Sequence, residues 1–197
     1  MAIIVDKEEK RRNIALSCRE LLLEHGIKDL TIAQIAQTAG VGKGTIYEYF
    51  SNKEDIVFEI ISSFIEEHEK RLMSIALQDI SSKEKIYHFY FLLFDDKIYK
   101  QQLKTYREFL AISITNPSRQ MIEFSIACNE KITAILRRII KEAIQKGELR
   151  DEAIRIVQPL AIYHTGLIVE EHKSALDAKE EIRKFLDTLF IFMESKI

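Results

Sequence analysis

Helix-breaking residues are scarce in this chain, which has six glycines and two prolines among 197 residues and no tryptophan. Glycine and proline are the least favourable residues in a helix interior, so their scarcity leaves long stretches free to be helical. Those stretches are rich in Ala, Leu, Ile, Glu, Lys and Arg, and strand-like alternation of apolar and polar residues persists nowhere. We therefore predict an all-α protein.

Cysteine is also rare, since Cys18 and Cys128 are the only two. They belong to no metal-binding or redox motif, and we expect both to be reduced and buried. The N-terminus has no apolar stretch followed by a cleavage site, and no run without charges reaches the roughly 18 apolar residues of a membrane span. We expect a cytoplasmic protein with neither a secretion signal nor a membrane span.

The charge of the chain is nearly balanced, with a formal net charge of −2. Residues 1–50 carry seven Lys or Arg and seven Asp or Glu. Nucleic-acid-binding domains are often strongly basic. Any contact with DNA must therefore come from a local arrangement of charge.

Helix starts are marked by residue pairs with the spacing of a capping box or its Asp variant. These pairs are Asp6 with Glu9, Thr31 with Gln34, Ser51 with Glu54, Ser81 with Glu84, and Asp177 with Glu180. Apolar residues with helical period follow each pair. Further stretches of the same period occur without such a pair, and the whole chain is predicted to contain about nine helices. Three of them fall in residues 1–52, and the others fall in residues 53–197.

Three further boundaries are predicted from single residues. Gly26 should end the first helix. Asn116 and Pro117 should cap and begin a helix that ends near Gly147. Pro159 lies inside the predicted helix 151–173, where we expect a kink or a restart.

The stretch "GVGKGT", from Gly40 to Thr45, has two possible interpretations. It resembles the end of a phosphate-binding loop, which requires G-x-x-x-x-G-K-[ST] between a strand and a helix. However, Gln37 stands where the first glycine is needed, and the preceding "TIAQIAQTA" has helical rather than strand period. These flanks favour instead two short helices joined by a tight turn, the helix-turn-helix arrangement that places its second helix in the major groove of DNA.

The same residues resemble the DNA-binding signature of the TetR/AcrR family of bacterial transcriptional regulators. The resemblance covers "LTIAQIAQTAGVGKGTIYEYFSNKEDI", from Leu30 to Ile56, and the preceding "NIALSCRELLLEHGIKDLT", which includes the usual G-x-x-x-L-T exit of the first helix. It implies an N-terminal three-helix DNA-binding domain, residues 1–52, followed by a helical ligand-binding and dimerisation domain, residues 53–197.

Roles for individual residues follow from this resemblance. It implies that Lys43 reads base edges, that Gly44 permits close approach to DNA, and that the remaining contacts are to phosphates: Thr45, Tyr47, Tyr49 and Lys53, with Thr31 assisting. The residues expected to hold the two helices together are Ile35, Ala36, Val41, Ile46 and Phe50. Glu48 departs from the aromatic or His residue often found there, and its carboxylate should point away from phosphates or contact a cytosine amine.

The resemblance also implies a homodimer, paired through the last two helices, that binds a pseudo-palindromic operator. The faces Ile154–Val157–Ala161–Ile168 and Ile182–Phe185–Leu189–Met193 are too apolar to leave in water, although an intramolecular core would also cover them. A small-molecule effector, apolar or aromatic, is expected in the second domain. The candidate ligand-binding residues are Phe64, His68, Phe89, Tyr106, Phe109, Phe124 and Tyr163.

An enzyme would need a catalytic constellation, and the sequence shows none. The five histidines have no metal-ligand spacing, no G-x-S-x-G motif occurs, and we expect neither a metal nor an organic cofactor. Two hypotheses remain: a ligand-responsive DNA-binding repressor, and a DNA-associated structural module without a small inducer. A cavity for a ligand in the second domain would favour the first, and a solid core there would favour the second.

Overall fold

A computed structural model describes residues 7–94, 97–170 and 178–194 of the chain. Over these ranges it is all-α, as predicted, and the only β-type pairing is an isolated bridge between Leu149 and Glu194. Asp6 and Asp177, predicted as caps, lie outside the described residues. The ten α-helices of these ranges are α1 (Lys7–Ser17), α2 (Arg19–Asp29), α3 (Ile32–Thr38), α4 (Lys43–Tyr49), α5 (Lys53–Ala76), α6 (Ser82–Phe91), α7 (Lys97–Thr115), α8 (Arg119–Gln145), α9 (Val157–Glu170) and α10 (Ala178–Met193).

The described residues pack as two compact units. Unit 1 contains those of ranges 1–67 and 104–115, and unit 2 contains those of ranges 68–103 and 116–197. Helices α5 and α7 each supply residues to both units. The predicted functional boundary between residues 52 and 53 stays a prediction.

The first predicted helix is in fact two helices, which is why the described ranges hold ten and not nine. The chain leaves helical geometry at Cys18, with φ −96° and ψ 8°, between α1 and α2. Helix α2 is itself interrupted at Gly26, with φ 77° and ψ 176°. The predicted break at Gly26 is therefore confirmed, and a single helical turn follows it.

Two of the predicted capping boxes are present. The Thr31 side chain accepts from the N–H of Gln34, and the Gln34 side chain accepts from the N–H of Thr31. Ser81 and Glu84 make the same reciprocal pair at the start of α6. Each box satisfies N–H groups that the first turn of a helix leaves without partners.

The cap predicted for α5 was placed one residue too early. The side chain that accepts from the first turn is Asn52, whose Oδ1 takes the N–H of Asp55 at 2.8 Å. Asp55 in turn accepts the N–H of Ser51 at 2.9 Å. Ser51 and Glu54 have the right spacing, but Asn52 and Asp55 have it too and are the pair that forms.

The predicted start of α8 was also wrong. Ser118 is the cap, and its hydroxyl accepts the N–H of Met121 at 3.2 Å. Asn116 and Pro117 precede the helix. The expected restart near Pro159 is confirmed, because a 3₁₀ segment (Asp151–Ile156) comes first and Pro159 lies in the first turn of α9.

Unit 2 has a large apolar core formed by α6, α8, α9, α10 and the end of α5. The two faces singled out in the last helices largely belong to this core, which agrees with the intramolecular alternative. Their members Val157, Ala161, Ile168, Ile182 and Met193 are buried.

Candidate DNA-binding interface

The turn between α3 and α4 is built by Gly40, whose φ is 66°. Its N–H donates to the carbonyl of Gln37 at 3.2 Å, and the N–H of Val41 donates to the carbonyl of Ala36 at 3.0 Å. This is the Schellman arrangement, which ends a helix with a residue in the left-handed region that glycine adopts most easily. A helix precedes "GVGKGT", so the phosphate-loop interpretation fails on its structural context.

The two short helices are fastened through their apolar side chains. Ile35 and Ala36 of α3 are buried, as are Ile46 of α4 and the following residue Phe50, while Val41 is half-buried. The predicted packing residues are therefore the ones that close this small core. As a result, the opposite side of α4 is left facing outward.

That outward side carries Lys43, Gly44, Tyr47 and Glu48. Tyr47 is 60% exposed, which is unusual for a large aromatic side chain. A β-carbon added at Gly44 would meet no atom within 4 Å. The absence of a side chain there thus has no packing reason among the described residues, and it leaves the backbone of α4 open to close approach.

Thr45 and Tyr49 are half-buried and border this surface. The ammonium of Lys10, from α1, lies 5.6 Å from the centroid of the Tyr49 ring. The ring face attracts the cation. Lys10 therefore adds a positive charge beside α4. Sequence reasoning missed this contribution, because Lys10 and Tyr49 lie far apart in the chain and no local pattern connects them.

Thr31 is exposed, but its hydroxyl is engaged. It donates to Oε1 of Gln34 at 2.6 Å and accepts the N–H of Gln34 at 3.3 Å. A hydroxyl has one proton to donate. A phosphate contact from Thr31 would therefore require its hydroxyl to turn away from Gln34.

Lys53, at the start of α5, is also held inside unit 1. Its ammonium donates to the carbonyl of Ile27 at 3.0 Å and to that of Lys28 at 3.2 Å. A cation is favourable at carbonyls that end a helical turn. Lys53 thus has a structural role, whatever part it takes in binding phosphate.

All three arginines of α1 and α2 are paired with acidic residues of α5. Three ion pairs join α1 and α2 to this helix, and they are Arg11–Glu59, Arg12–Glu66 and Arg19–Glu67. The guanidinium of Arg11 also lies 4.9 Å from the ring centroid of Phe50. These cations therefore fasten helices within unit 1, and Lys43 and Lys10 supply the positive charge near the outward side of α4.

Unit 2 contains a polar cluster inside its core. The Nε2 atoms of His68 and His164 are 3.4 Å apart, and the Tyr99 hydroxyl is hydrogen-bonded to Nδ1 of His68. Both imidazoles are buried, and the ring of Phe89 meets that of His164 edge to face. In this hydrogen bond one Nε2 must donate its proton and the other must accept it.

The surroundings of this pair disfavour protonation. Burial lowers the pKa of His164 to about 4. Burial also holds the pKa of His68 well below its ordinary value, and the neighbouring His164 and Arg71 lower it further. The cluster can therefore offer hydrogen bonds but carries no charge at neutral pH.

The seven candidate ligand-binding residues are divided between the units. In unit 1, Tyr106 stacks on Phe109 with ring centroids 5.9 Å apart, and the Arg19 guanidinium lies 4.7 Å from the ring centroid of Phe64. In unit 2, His68 and Phe89 both contact His164, His68 through a hydrogen bond and Phe89 through its ring.

The last two candidates are also in unit 2. Tyr163 contacts Tyr90 and Phe185, and Phe124 is half-buried on α8. His164, Tyr90 and Tyr99 were not predicted, since no local spacing identifies the partners of a histidine that lies far away in the sequence.

Other types of site find no support in the described part of the chain. No group of three or more His, Cys, Asp or Glu there could hold a metal ion. None of the helices in those ranges combines the length and apolarity that a membrane crossing needs. Cys18 and Cys128 are both free and buried, as predicted, and burial raises the pKa of Cys128 to about 11.

Comparison with known proteins agrees with this geometry. The sequence model for "Bacterial regulatory proteins, tetR family" matches residues 17–60. The "Fatty acid metabolism regulator protein" of Bacillus subtilis (strain 168) is 30% identical over 154 residues, which cover 74% of this chain and 73% of that protein.

Solved structures share the fold. A TetR-family regulator from Cytophaga hutchinsonii matches with a TM-score of 0.77 at 17% identity, over 98% of this chain and 99% of that one. FadR from Bacillus subtilis, solved in complex with stearoyl-CoA, matches with a TM-score of 0.66 at 22% identity, over 90% of this chain and 96% of that one. This chain belongs to the TetR family of bacterial transcriptional regulators.

Proposed function

We propose that this regulator is a repressor that binds a pseudo-palindromic operator as a homodimer and leaves it when a small apolar molecule binds in the second domain. The observation that carries this proposal is the outward side of α4, where Lys43, Gly44 and Tyr47 face away from the packed side formed by Ile46. A helix with this division suits the major groove, which accepts one helix and is read from its first residues.

We assign the DNA contacts accordingly. Lys43, the first residue of α4, donates to guanine acceptors, and Gly44 lets the backbone come close to the DNA. Thr45, Tyr47 and Tyr49 donate hydroxyls to phosphates. Lys53 and Thr31 assist only to the extent that their contacts inside unit 1 leave donors free.

Exposed apolar residues on α9 and α10 support the homodimer. Ile162 and Val169 lie on one side of α9, and Ile162 is 62% exposed. Phe185 and Phe192 lie on one side of α10, and Phe192 is 68% exposed. The rings of Tyr163, which follows Ile162 in α9, and Phe185 are in contact with centroids 4.4 Å apart, so α9 and α10 lie beside each other here. An apolar surface of this kind favours a second copy of the chain.

The oligomeric state can be tested directly by light scattering on the purified protein. We expect a dimer for the native chain and a monomer for Phe192→Glu, because a carboxylate would be buried in the interface. Leu77→Glu replaces another exposed apolar residue, just after the end of α5, and serves as the matched control. A native monomer, or a Phe192→Glu variant that stays dimeric, would contradict the proposed interface.

For the effector we propose a molecule with a long apolar part. Unit 2 offers apolar and aromatic side chains with few polar groups, among them His68 and His164, which is the usual composition of a pocket for such ligands. The similar proteins named for fatty acid metabolism and solved with stearoyl-CoA make stearoyl-CoA the first ligand to test. Release of bound DNA by stearoyl-CoA but not by coenzyme A alone would support an acyl effector, and no release would reject this class.

The DNA-binding function is tested by selecting bound duplexes from a random pool with the purified protein. We expect an enriched pseudo-palindrome whose half-sites are about one helical turn, roughly 34–36 Å, apart. A reporter placed behind that duplex should be silenced by the protein and restored by the effector. An enriched sequence without two-fold symmetry, or a reporter that is activated, would contradict the proposal.

A further inference from the structure

The segment that leads into the helix-turn-helix has backbone groups that a continuous helix cannot satisfy. Gly26, with φ 77° and ψ 176°, breaks α2, and Leu30 is already extended, with φ −69° and ψ 130°. Only one helical turn, residues 27–29, lies between them. The first N–H groups and last carbonyls of so short a turn need partners from elsewhere.

Two charged side chains supply these partners from different helices. Glu108 of α7 accepts the N–H of Ile27 at 2.9 Å through Oε2 and the N–H of Lys28 at 3.0 Å through Oε1. Lys53 of α5 donates to the carbonyls of the same two residues. All of these groups belong to unit 1.

We propose that Glu108 is a positioning residue for DNA binding, which together with Lys53 clamps residues 27 and 28 and so sets the position of α4. Few residues connect the clamped turn to α4. Leu30, buried in unit 1, leads directly to Thr31, the cap of α3. Because α3 packs against α4, and Ile35 and Ile46 are both buried, the placement of the clamped turn determines how Lys43 is presented.

The side chain at position 26 is restricted by the same clamp. A β-carbon on Gly26 would lie 2.8 Å from Oε2 of Glu108. That distance is shorter than an ordinary contact, so glycine allows the carboxylate to come this close. The observed position of the Glu108 carboxylate therefore requires a residue without a β-carbon at position 26.

The inference rests on the proposed DNA-binding function and is tested with the variant Glu108→Gln. The charge-matched control is Glu24→Gln, which changes an exposed residue of α2. Gln has one acceptor oxygen in place of two. We expect affinity for the selected duplex to fall about tenfold, the factor for one N–H donor left without its acceptor. Affinity for a scrambled duplex, and the slope of affinity against salt, should stay unchanged because a carboxylate does not bind phosphate.

A second readout needs no DNA. In nuclear magnetic resonance spectra of the full chain, the amide signals of Gly42 and Gly44 should shift in Glu108→Gln and in Lys53→Met, but not in Glu24→Gln. Unchanged glycine signals would overturn the inference even if the duplex selection succeeds. A failed selection with shifted signals would instead count against the proposed DNA-binding assignment and leave the clamp intact.

Discussion

Gly44 is a residue whose small size has no packing reason among the described residues. It lies in α4, where alanine would be more favourable for the helix, and the space around it is open. The same exposed position is where a helix in the major groove would come nearest to the DNA. We therefore infer that position 44 is glycine because a side chain there would obstruct the approach of α4 to DNA.

Replacing Gly44 with Ala should separate stability from DNA binding. We expect the free energy of unfolding to stay equal or to rise by up to about 1 kcal/mol, because alanine is the better helix former. Affinity for the operator should fall, since the added methyl group meets the DNA. Urea unfolding and fluorescence anisotropy measure the two quantities. Equal affinity in the variant would show that α4 does not approach DNA closely at this point.

Gly26 and Gly40 differ in how strongly their positions exclude a side chain. Both have positive φ, but Gly26, with ψ 176°, lies in a region that is essentially restricted to glycine, and only Gly26 has a side-chain oxygen where a β-carbon would go. Gly40→Ala should lose about 1–2 kcal/mol of stability from its backbone conformation alone. Gly26→Ala should lose more, and urea unfolding of both variants gives the difference. Equal losses would indicate that neither the backbone conformation at position 26 nor the contact with Glu108 adds a cost beyond that at Gly40.

At the scale of elements, the sequence predicted helix caps that depend on neighbouring residues. It did not predict hydrogen bonds between residues that lie far apart in the chain. Thr31 with Gln34 was found because the pair lies three residues apart on one helix start. The start of α5 was misplaced by one residue, because Asn52 competes with Ser51 at the same spacing. Glu108 could not be found, since 81 residues separate it from Ile27 and no local pattern connects the two.

The start of α8 gives a direct test at this scale. Ser118 caps a helix of 27 residues, whereas Asn116, the predicted cap, precedes it. Ser118→Ala should cost about 1 kcal/mol of stability, the usual value for a lost cap. Asn116→Ala should have a much smaller effect in the same thermal unfolding measurement. A larger loss of stability in Asn116→Ala than in Ser118→Ala would show that Asn116 is the cap.

At the scale of the whole molecule, the balanced charge is explained by where the cations are used. Arg12 and Arg19 are paired with glutamates of α5, and Lys85 is paired with Glu142 at 2.9 Å in unit 2. A chain can therefore bind DNA without a net positive charge if a few cations, such as Lys43 and Lys10, lie beside the reading helix. This distribution could not be derived from composition, which counts charges without their partners.

The buried histidine pair should make global stability depend on pH. An imidazole in the unfolded chain takes up a proton near pH 6.5, whereas burial lowers the pKa of His164 to about 4. Below pH 6.5 the unfolded state therefore binds more protons, so stability is complete above that pH and declines until about pH 4. The groups around the pair are the Tyr99 hydroxyl from α7, the Phe89 and Tyr90 rings from α6, and Arg71 from α5.

Replacing His164 with Gln should remove this part of the pH dependence, because an amide does not titrate. Between pH 7 and pH 5 the native chain should lose about 2 kcal/mol more stability than His164→Gln, from about 1.36 kcal/mol per pH unit. Urea unfolding at several pH values measures this difference, and carboxylates cancel because both proteins contain them. His88→Gln, which changes an exposed histidine of α6, should follow the native profile. Parallel profiles for the native chain and His164→Gln would mean that the imidazole takes up its proton without leaving the fold.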